Sequence, residues 1–410
     1  MTETGFADPK GCAAPARPAD GTLLLSPPDK VLYGETQMTS VSTERYTVPG
    51  FTGALLQAED AGYDDARKVF NGMIDRRPAV IARCRTADDV AAAIRFARAE
   101  GLPISVYGGG HAVTGAAVVD GGVCIDLRGM KGISVDPAAR TVRAEGGVQW
   151  GEFDAATQAF GLGVTGGRHP DTGIAGLTLG SGSGWLERKF GYVCENLIKA
   201  EMVTADGQQV IASATENPDL FWAIRGGGGN FGVVTAFHLR LHPLGPIVMA
   251  GMLFYPGEMA AEMARFYRDF MENAPDELGG GMVFTKAPPM DPFPAAMRGQ
   301  PAVGILVIYA GPVEEAATVL APLRAHATPA VDLVQPMPYL AAQKLNEGGN
   351  PIGVRNYWTS DFYNEMPDAA IDALVEQSAR RPSPIGSFVL VPGGGAPSRV
   401  ADHETAFTQR

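Results

Sequence analysis

His111 stands alone among residues that have almost no side chains. In "GGGHAVTG" (residues 108–115) it lies between Gly110 and Ala112, directly behind the apolar run "PISVY". An imidazole can serve as a base, a metal ligand or a nucleophile. No second histidine lies at metal-ligand spacing, and Cys12, Cys84, Cys124 and Cys194 form no C-x-x-C pair, so no metal is expected and the thiols read as single buried or idle groups. Glycine is used where a backbone must turn with positive φ or come close to something. Two further loops share that composition: Gly166, Gly167, Gly173, Gly176, Gly180, Gly182 and Gly184, then Gly226–Gly229 with Gly232. Successive amides in such turns make concave anion sites. The expected ligand is therefore long, carries a diphosphate and lies on bare backbone.

Two matches to the dinucleotide pattern G-x-G-x-x-G do not support a nicotinamide cofactor. "GLGVTG" (161–166) follows a helix signal and leads toward Pro170, and "GGGNFG" (227–232) runs into the strand "VVTAF". That pattern carries meaning only when it opens a helix whose first amides face a pyrophosphate. The phosphate loop, the zinc helix H-E-x-x-H and the elbow G-x-S-x-G are absent.

The elements that must position these loops follow from pattern. "AGYDDARKVFNGMIDRRP" reads as a helix as far as Pro78. "AVIARC" is a strand, Thr86 caps the helix "TADDVAAAIRFARAEG", and "PISVY" is the next strand. Short strands follow at "VVDGGVCIDL", "GISVD" and "RTVRAE", then a helix over "WGEFDAATQAF". A hairpin turned at Asp206-Gly207, the helix "NPDLFWAIRG" and the strand "GVVTAFHLRLHP" close this half. Beyond Pro246 the order becomes β-α-β-β-α-β, from "PIVMAGMLFY" to "AVDLVQ". That order implies an antiparallel sheet with helices on one face.

The totals exclude several functions. The chain has 410 residues, 45% hydrophobic and 19% charged, enough for more than one domain. A net charge of −12 without a basic cluster argues against a nucleic-acid partner. No apolar run of about 18 residues is present, so no membrane span is expected. The N-terminus lacks the basic-then-apolar order of a signal peptide, and a cytoplasmic location is expected. Residues 1–50, with six prolines and no apolar period, read as a flexible arm. Residues 51–75 read as a helical lead-in, 76–245 as the ligand-binding domain and 246–410 as a second domain.

A histidine nitrogen in a loop shaped for a diphosphate-bearing ligand could attack the C8 methyl of an oxidised flavin and attach it covalently. With these residues assembled, the chain resembles the berberine bridge enzyme-like branch of the FAD-linked oxidases, within the PCMH-type, vanillyl-alcohol oxidase-like fold. The matching segments are "RCRTADDVAAAIRFARAEGLPISVYGGGHAVTGAAVVDGGVCIDL", "HPDTGIAGLTLGSGSGWLERKFG" and "ENPDLFWAIRGGGGNFGVVTAFHLRLHP". Weaker similarity runs on through "MPYL" and "RNYWTSDF". The resemblance implies an α+β protein: a two-subdomain FAD-binding domain and a substrate domain built on an antiparallel sheet with helices on one face. It implies FAD linked to His111, with Tyr107, Gly108, Gly109, Gly110, Ala112 and Gly115 around the diphosphate. Asp171, Thr172, Gly173, Gly176, Leu177 and Gly180 would line the flavin and ribityl chain, and Gly232 and Val234 the adenine end.

Three departures from the family pattern stand out. Many relatives carry a second flavin-bonding cysteine where this chain has His169, so a single link is implied, with His169 a polar neighbour of the ring. Ser181 stands where a glycine is usual. Relatives also continue for several dozen residues past Arg410, returning a strand and a helix to the FAD domain, so that closing segment is expected to be lacking. The implied reaction is hydride removal from a CH–OH or CH–NH carbon of a small molecule, with O2 reduced to H2O2. Thr172 falls at the family's oxygen-access position. Candidates for the base are Tyr339, Tyr357 and Asp361, with Arg355 or Trp358 shaping the pocket. A dehydrogenase using another acceptor and an inactive flavin-binding scaffold are the alternatives.

Overall fold

Every element that positions the glycine loops comes from a β-branched run or a capped amphipathic helix. The computed structural model describes residues 45–381, 383 and 385–409. The arm expected over residues 1–50 lies outside the described residues as far as residue 44. The first elements are β1 (Ala54–Leu56), α1 (Tyr63–Ala66), β2 (Val80–Arg83), α2 (Ala87–Ala99), β3 (Ile104–Tyr107) and β4 (Val123–Asp126). β3 and β2 both pair in parallel with β4, which lies between them, and β1 runs antiparallel on the outer edge of β2. Thr86 caps α2 by accepting from the Asp89 N–H at 3.2 Å, a contact worth about 1 kcal/mol. Val90, Ile94 and Ala97 bury the helix face against Val80, Val123 and Ile125. The loop 108–115 thus leaves the carboxyl end of a parallel strand, where open α/β sheets place their ligands.

The helix expected as far as Pro78 is corrected: only Tyr63–Ala66 is helical, and Ala54–Leu56 before it is a strand. Tertiary contacts claim the backbone that a longer helix would use. Phe70 N–H donates to Gly110 O at 3.0 Å, Gly72 N–H to Val354 O at 2.9 Å, and Gly353 N–H returns to Phe70 O at 2.9 Å.

Next come β5 (Ile133–Asp136), β6 (Thr141–Glu145), α3 (Trp150–Gln158), β7 (Leu162–Gly163), α4 (Ile174–Leu179), α5 (Glu187–Phe190), β8 (Leu197–Val203), β9 (Gln209–Ser213), α6 (Pro218–Ala223), β10 (Val233–Arg240) and β11 (His242–Pro243). Five of the strands form an antiparallel sheet in the order β5-β6-β10-β8-β9. Trp150, Phe153, Ile174, Phe221 and Phe237 fill the core beneath it.

The remaining chain gives β12 (Ile247–Pro256), α7 (Ala260–Glu272), β13 (Leu278–Lys286), β14 (Pro301–Tyr309), α8 (Ala316–His326), β15 (Val331–Asp332), β16 (Gln335–Pro338), α9 (Tyr339–Ala342), α10 (Asp368–Ala379) and β17 (Phe388–Leu390). All its strand pairs are antiparallel, in the order β15-β12-β14-β13-β17, with β16 also on β12. Strand alternation separates two faces. Leu253, Met282, Phe284, Ile305 and Val307 meet Met263, Tyr267, Leu320 and Ile371 of α7, α8 and α10. Val248, Ala250, Leu306 and Ile308 point the other way, onto Trp185, Leu186 and Tyr339. The chain adopts the α+β class, with the longer helices α7, α8 and α10 on one face of the last sheet and the short α9 on the other. No helix among the described residues is long and apolar enough to cross a membrane.

Candidate functional site

The loop 108–115 and the loop 166–173 come together backbone against backbone. A Cβ added at Gly109 would fall 2.3 Å from Gly173 N, and one at Gly173 would fall 2.4 Å from Gly109 N. No side chain fits between them, so both positions require glycine. The surface continues on one side: a Cβ on Gly108 would meet Gly146 O at 3.3 Å, and one on Gly146 would meet Val234 O at 2.5 Å. Among the described residues, none of the backbone N–H groups of residues 109–114 donates a hydrogen bond to another backbone group or side chain, until Gly115 N–H reaches Ala112 O at 2.9 Å. A run of unspent donors on a concave backbone is the geometry that holds a diphosphate.

His111 occupies the head of this surface. Its ring stacks on Phe70, with centroids 4.1 Å apart and an 18° interplanar angle, and lies 5.6 Å from the ring of His169. Nε2 stands 3.4 Å from Asp171 Oδ1. Nε2 makes no hydrogen bond among the described residues, yet the nearby imidazole holds the Asp171 carboxyl below its usual range, against the opposing effect of burial. Burial lowers the pKa of His169, and the neighbouring His111 lowers it further. His169 is only 9% exposed. Thr172 is fixed by its backbone, its N–H donating to His169 O at 3.1 Å and its carbonyl accepting from Trp150 N–H at 2.9 Å. Tyr107 ends β3 as a buried support: its hydroxyl donates to Lys68 O at 2.7 Å, and the Arg128 guanidinium lies 3.9 Å from the ring centre.

A family model described as an FAD binding domain matches residues 78–213. The (R)-6-hydroxynicotine oxidase of Paenarthrobacter nicotinovorans is 32% identical over 382 residues, which cover 90% of this chain and 81% of the relative. The chain belongs to the FAD-linked oxidoreductases. A crystal structure of 6-hydroxy-D-nicotine oxidase from Arthrobacter nicotinovorans superposes with a TM-score of 0.67 at 33% identity, over 72% of this chain and 64% of that one. The BBE-like 1 protein of Physcomitrella patens shares the fold, with a TM-score of 0.75 at 23% identity over 87% of this chain and 79% of its own.

In this FAD-linked oxidoreductase the glycines expected at the cofactor lie in three places: the two facing loops, α4, and the turn before β10. Gly110 and Gly115 take positive φ, 66° and 71°, and Gly232 takes 143° just before β10. Gly176 and Leu177 lie on α4, with Gly180 as its C-cap. The three candidates for the base are placed differently. Tyr339 is enclosed in the apolar cluster under the last sheet, its hydroxyl without a hydrogen-bond partner among the described residues and its pKa pushed well up by burial and then by Asp154. Tyr357 is 86% exposed, and Asp361, also exposed, accepts from Phe362 N–H at 2.8 Å. None of the three is in ring contact or hydrogen bond with His111, His169 or Asp171 among the described residues. Trp358 does reach the site, meeting Phe70 edge-on at 5.6 Å.

Sequence reasoning missed several residues of this FAD-linked oxidoreductase's site. Gly146 had a signal, a glycine pair behind a strand like the other three loops. Phe70, Asn71, Asp154, Gln343 and Asn346 had none. Asn346 Nδ2 donates to His169 Nε2 at 3.0 Å, and Gln343 Nε2 to both Asp154 Oδ2 at 2.8 Å and Gly167 O at 3.2 Å. Cys84 and Cys124 are buried thiols, and burial pushes the Cys124 pKa up to about 12. No cluster of His, Cys, Asp and Glu among the described residues could hold a metal ion.

Proposed function

We propose that this protein is an oxidase that removes a hydride from a CH–OH or CH–NH carbon of a small organic substrate and passes the electrons to O2, giving H2O2. FAD is held through one covalent bond, at His111. The observation that carries the reading is His111 at the head of a backbone surface with unspent N–H donors and no room for a Cβ. These residues fit the cofactor. The backbone from Tyr107 to Ala112 would hold the diphosphate, with Gly115 in the same loop. Asp171, Thr172, Gly173, Gly176, Leu177 and Gly180 would lie along the flavin and ribityl chain, and Gly232 and Val234 along the adenine end. Bound FAD supplies the two-electron acceptor that no side chain can provide.

The protein's own part is to bind, orient and exclude water. Asp171 aligns the His111 ring through the 3.4 Å approach to Nε2, and Phe70 supports its face. A single link follows from the residue at 169, an imidazole where a cysteine would be needed, and from the burial of Cys84 and Cys124. Substrate is proposed to meet the histidine pair from the side of Trp358, which brings Tyr357 and Asp361 of the same segment into that neighbourhood. The hydroxynicotine oxidase at 32% identity supports the oxidase assignment.

Acid precipitation tests the link. The denatured wild-type pellet should stay yellow, and the His111→Ala pellet should be colourless with the flavin in the supernatant. Digestion should place FAD on the peptide containing "GGGHAVTG" and leave the one containing "GGRHPDTG" free of it. A panel of alcohols and amines read by peroxide release tests the reaction. Substrate-dependent bleaching without peroxide in air would replace the oxidase with a dehydrogenase.

A further inference from the structure

The turn behind α9 belongs to the last third of the chain, yet both of its amide side chains end on the loop 166–173. Gln343 N–H donates to Tyr339 O at 3.0 Å and Lys344 N–H to Ala341 O at 3.1 Å, continuing the helical winding past Ala342. Residues 343 and 346 therefore share one side, as i and i+3 do on a helix. Gln343, only 2% exposed, ties α3 to the carbonyl of Gly167. Asn346 ends on His169 Nε2.

We propose that Asn346 is a positioning residue that fixes His169 as a neutral donor with its proton on Nδ1, and that Gln343 sets the height of the loop on which His169 rides. The inference rests on the reading that flavin lies beside His111 and His169. An imidazole that accepts at Nε2 carries its single proton on Nδ1. The groups facing the ring are His111, Asp171, Glu347 and Arg168, and burial, with His111 beside it, favours the neutral form against the opposing pull of the Asp171 and Glu347 carboxylates. His169 so held offers one N–H to an electron-rich atom of the bound flavin or substrate. It has no lone pair left to act as base or nucleophile. That accounts for a histidine, and not any small polar residue, at the place facing His111. A purely structural clamp at Asn346 would be indifferent to which nitrogen bears the proton.

The tautomer can be read directly. Flavin-loaded protein labelled with 15N-histidine should show the His169 ring, identified by its loss in His169→Gln, protonated on Nδ1 between about pH 6 and about pH 8. Asn346→Asp keeps the shape but can only accept. It should move the proton to Nε2, raise the charging midpoint of the ring by about one pH unit or more, and shift the visible flavin band. Asn346→Leu should release the ring to a mixture of tautomers, and Gln343→Glu should shift the flavin band while leaving the tautomer as in wild type. Wild-type ring nitrogens in both Asn346 variants would overturn the proposal. A moved proton with an unchanged flavin band, both in Asn346→Asp and in His169→Gln, would instead overturn the placement of flavin beside His169 and leave tautomer control by Asn346 standing.

Discussion

Ser181 holds its backbone at φ 98°, a conformation that costs a residue with a Cβ on the order of 1–3 kcal/mol. Its neighbours explain why it stays there. The carbonyl of Ser181 accepts from Cys194 N–H at 2.9 Å and that of Gly182 from Val193 N–H at 3.0 Å, locking the turn behind α4. Ser181→Gly should therefore stabilise the protein by about 1 kcal/mol, raising Tm by roughly 1 °C in a chain of this size. An unchanged or lower Tm would show that the serine side chain repays its strain. The glycine usual at this position was legible from the family pattern; the sign of its torsion was not. The same division holds at His111. Its setting among glycines could be read from the chain, whereas the stacking on Phe70 and the approach of Asp171 come from folding.

At the scale of elements, α3 carries an unusual load. Asp154 on its inner face is buried, and that burial pushes its carboxyl up to about 7 although the hydrogen bond from Gln343 works in the opposite direction. A carboxyl whose pKa is raised by folding adds stability below its unfolded value, near 4, and loses it as pH rises through the folded one. Wild type should thus lose a few kcal/mol relative to Asp154→Asn between about pH 4 and about pH 7. Urea midpoints of the two proteins at pH 5 and pH 8 would check this. A gap that does not widen in favour of the asparagine variant at pH 8 would mean that Asp154 is charged throughout. Nothing local marks Asp154: it is one acid in an ordinary amphipathic helix, and its partner is 189 residues away. Elements ruled by local signals were legible, as with the Thr86 cap and the hairpin turned at Asp206-Gly207. The stretch up to Pro78 was not, because residues 353 and 354 take its hydrogen bonds.

At the scale of the whole molecule, Asn71 ties the early chain to the late chain. It is 2% exposed, and its amide donates to Val113 O at 2.8 Å and Asn356 O at 3.0 Å while accepting from Asn356 N–H at 2.9 Å. Asn71→Ala leaves these buried groups unpaired and should cost roughly 2 kcal/mol. The loss should be local as well as global, with amides 353–356 exchanging their hydrogens about tenfold faster or more. Exchange at those amides unchanged from wild type would show that the two segments are held by other contacts. Sequence reading reached many of the strands and helices, since each rests on its own local pattern. It could not give the joint, because a lone asparagine before Gly72 has no periodicity to announce a partner 285 residues on.

That separation has a consequence in time. A chain grows from its N-terminus at about 5–20 residues per second, so Asn356 is made roughly 15–60 s after Asn71. Through that interval the strands on either side of "GGGHAVTG" can already pair, but the wall of residues 353–358 does not yet exist. The loop 108–115 stays uncovered on that side until residues 353–358 have been made. Chains cut between residues 250 and 350 should therefore bind flavin loosely and release it on washing, whereas chains that include residues 353–358 should retain it.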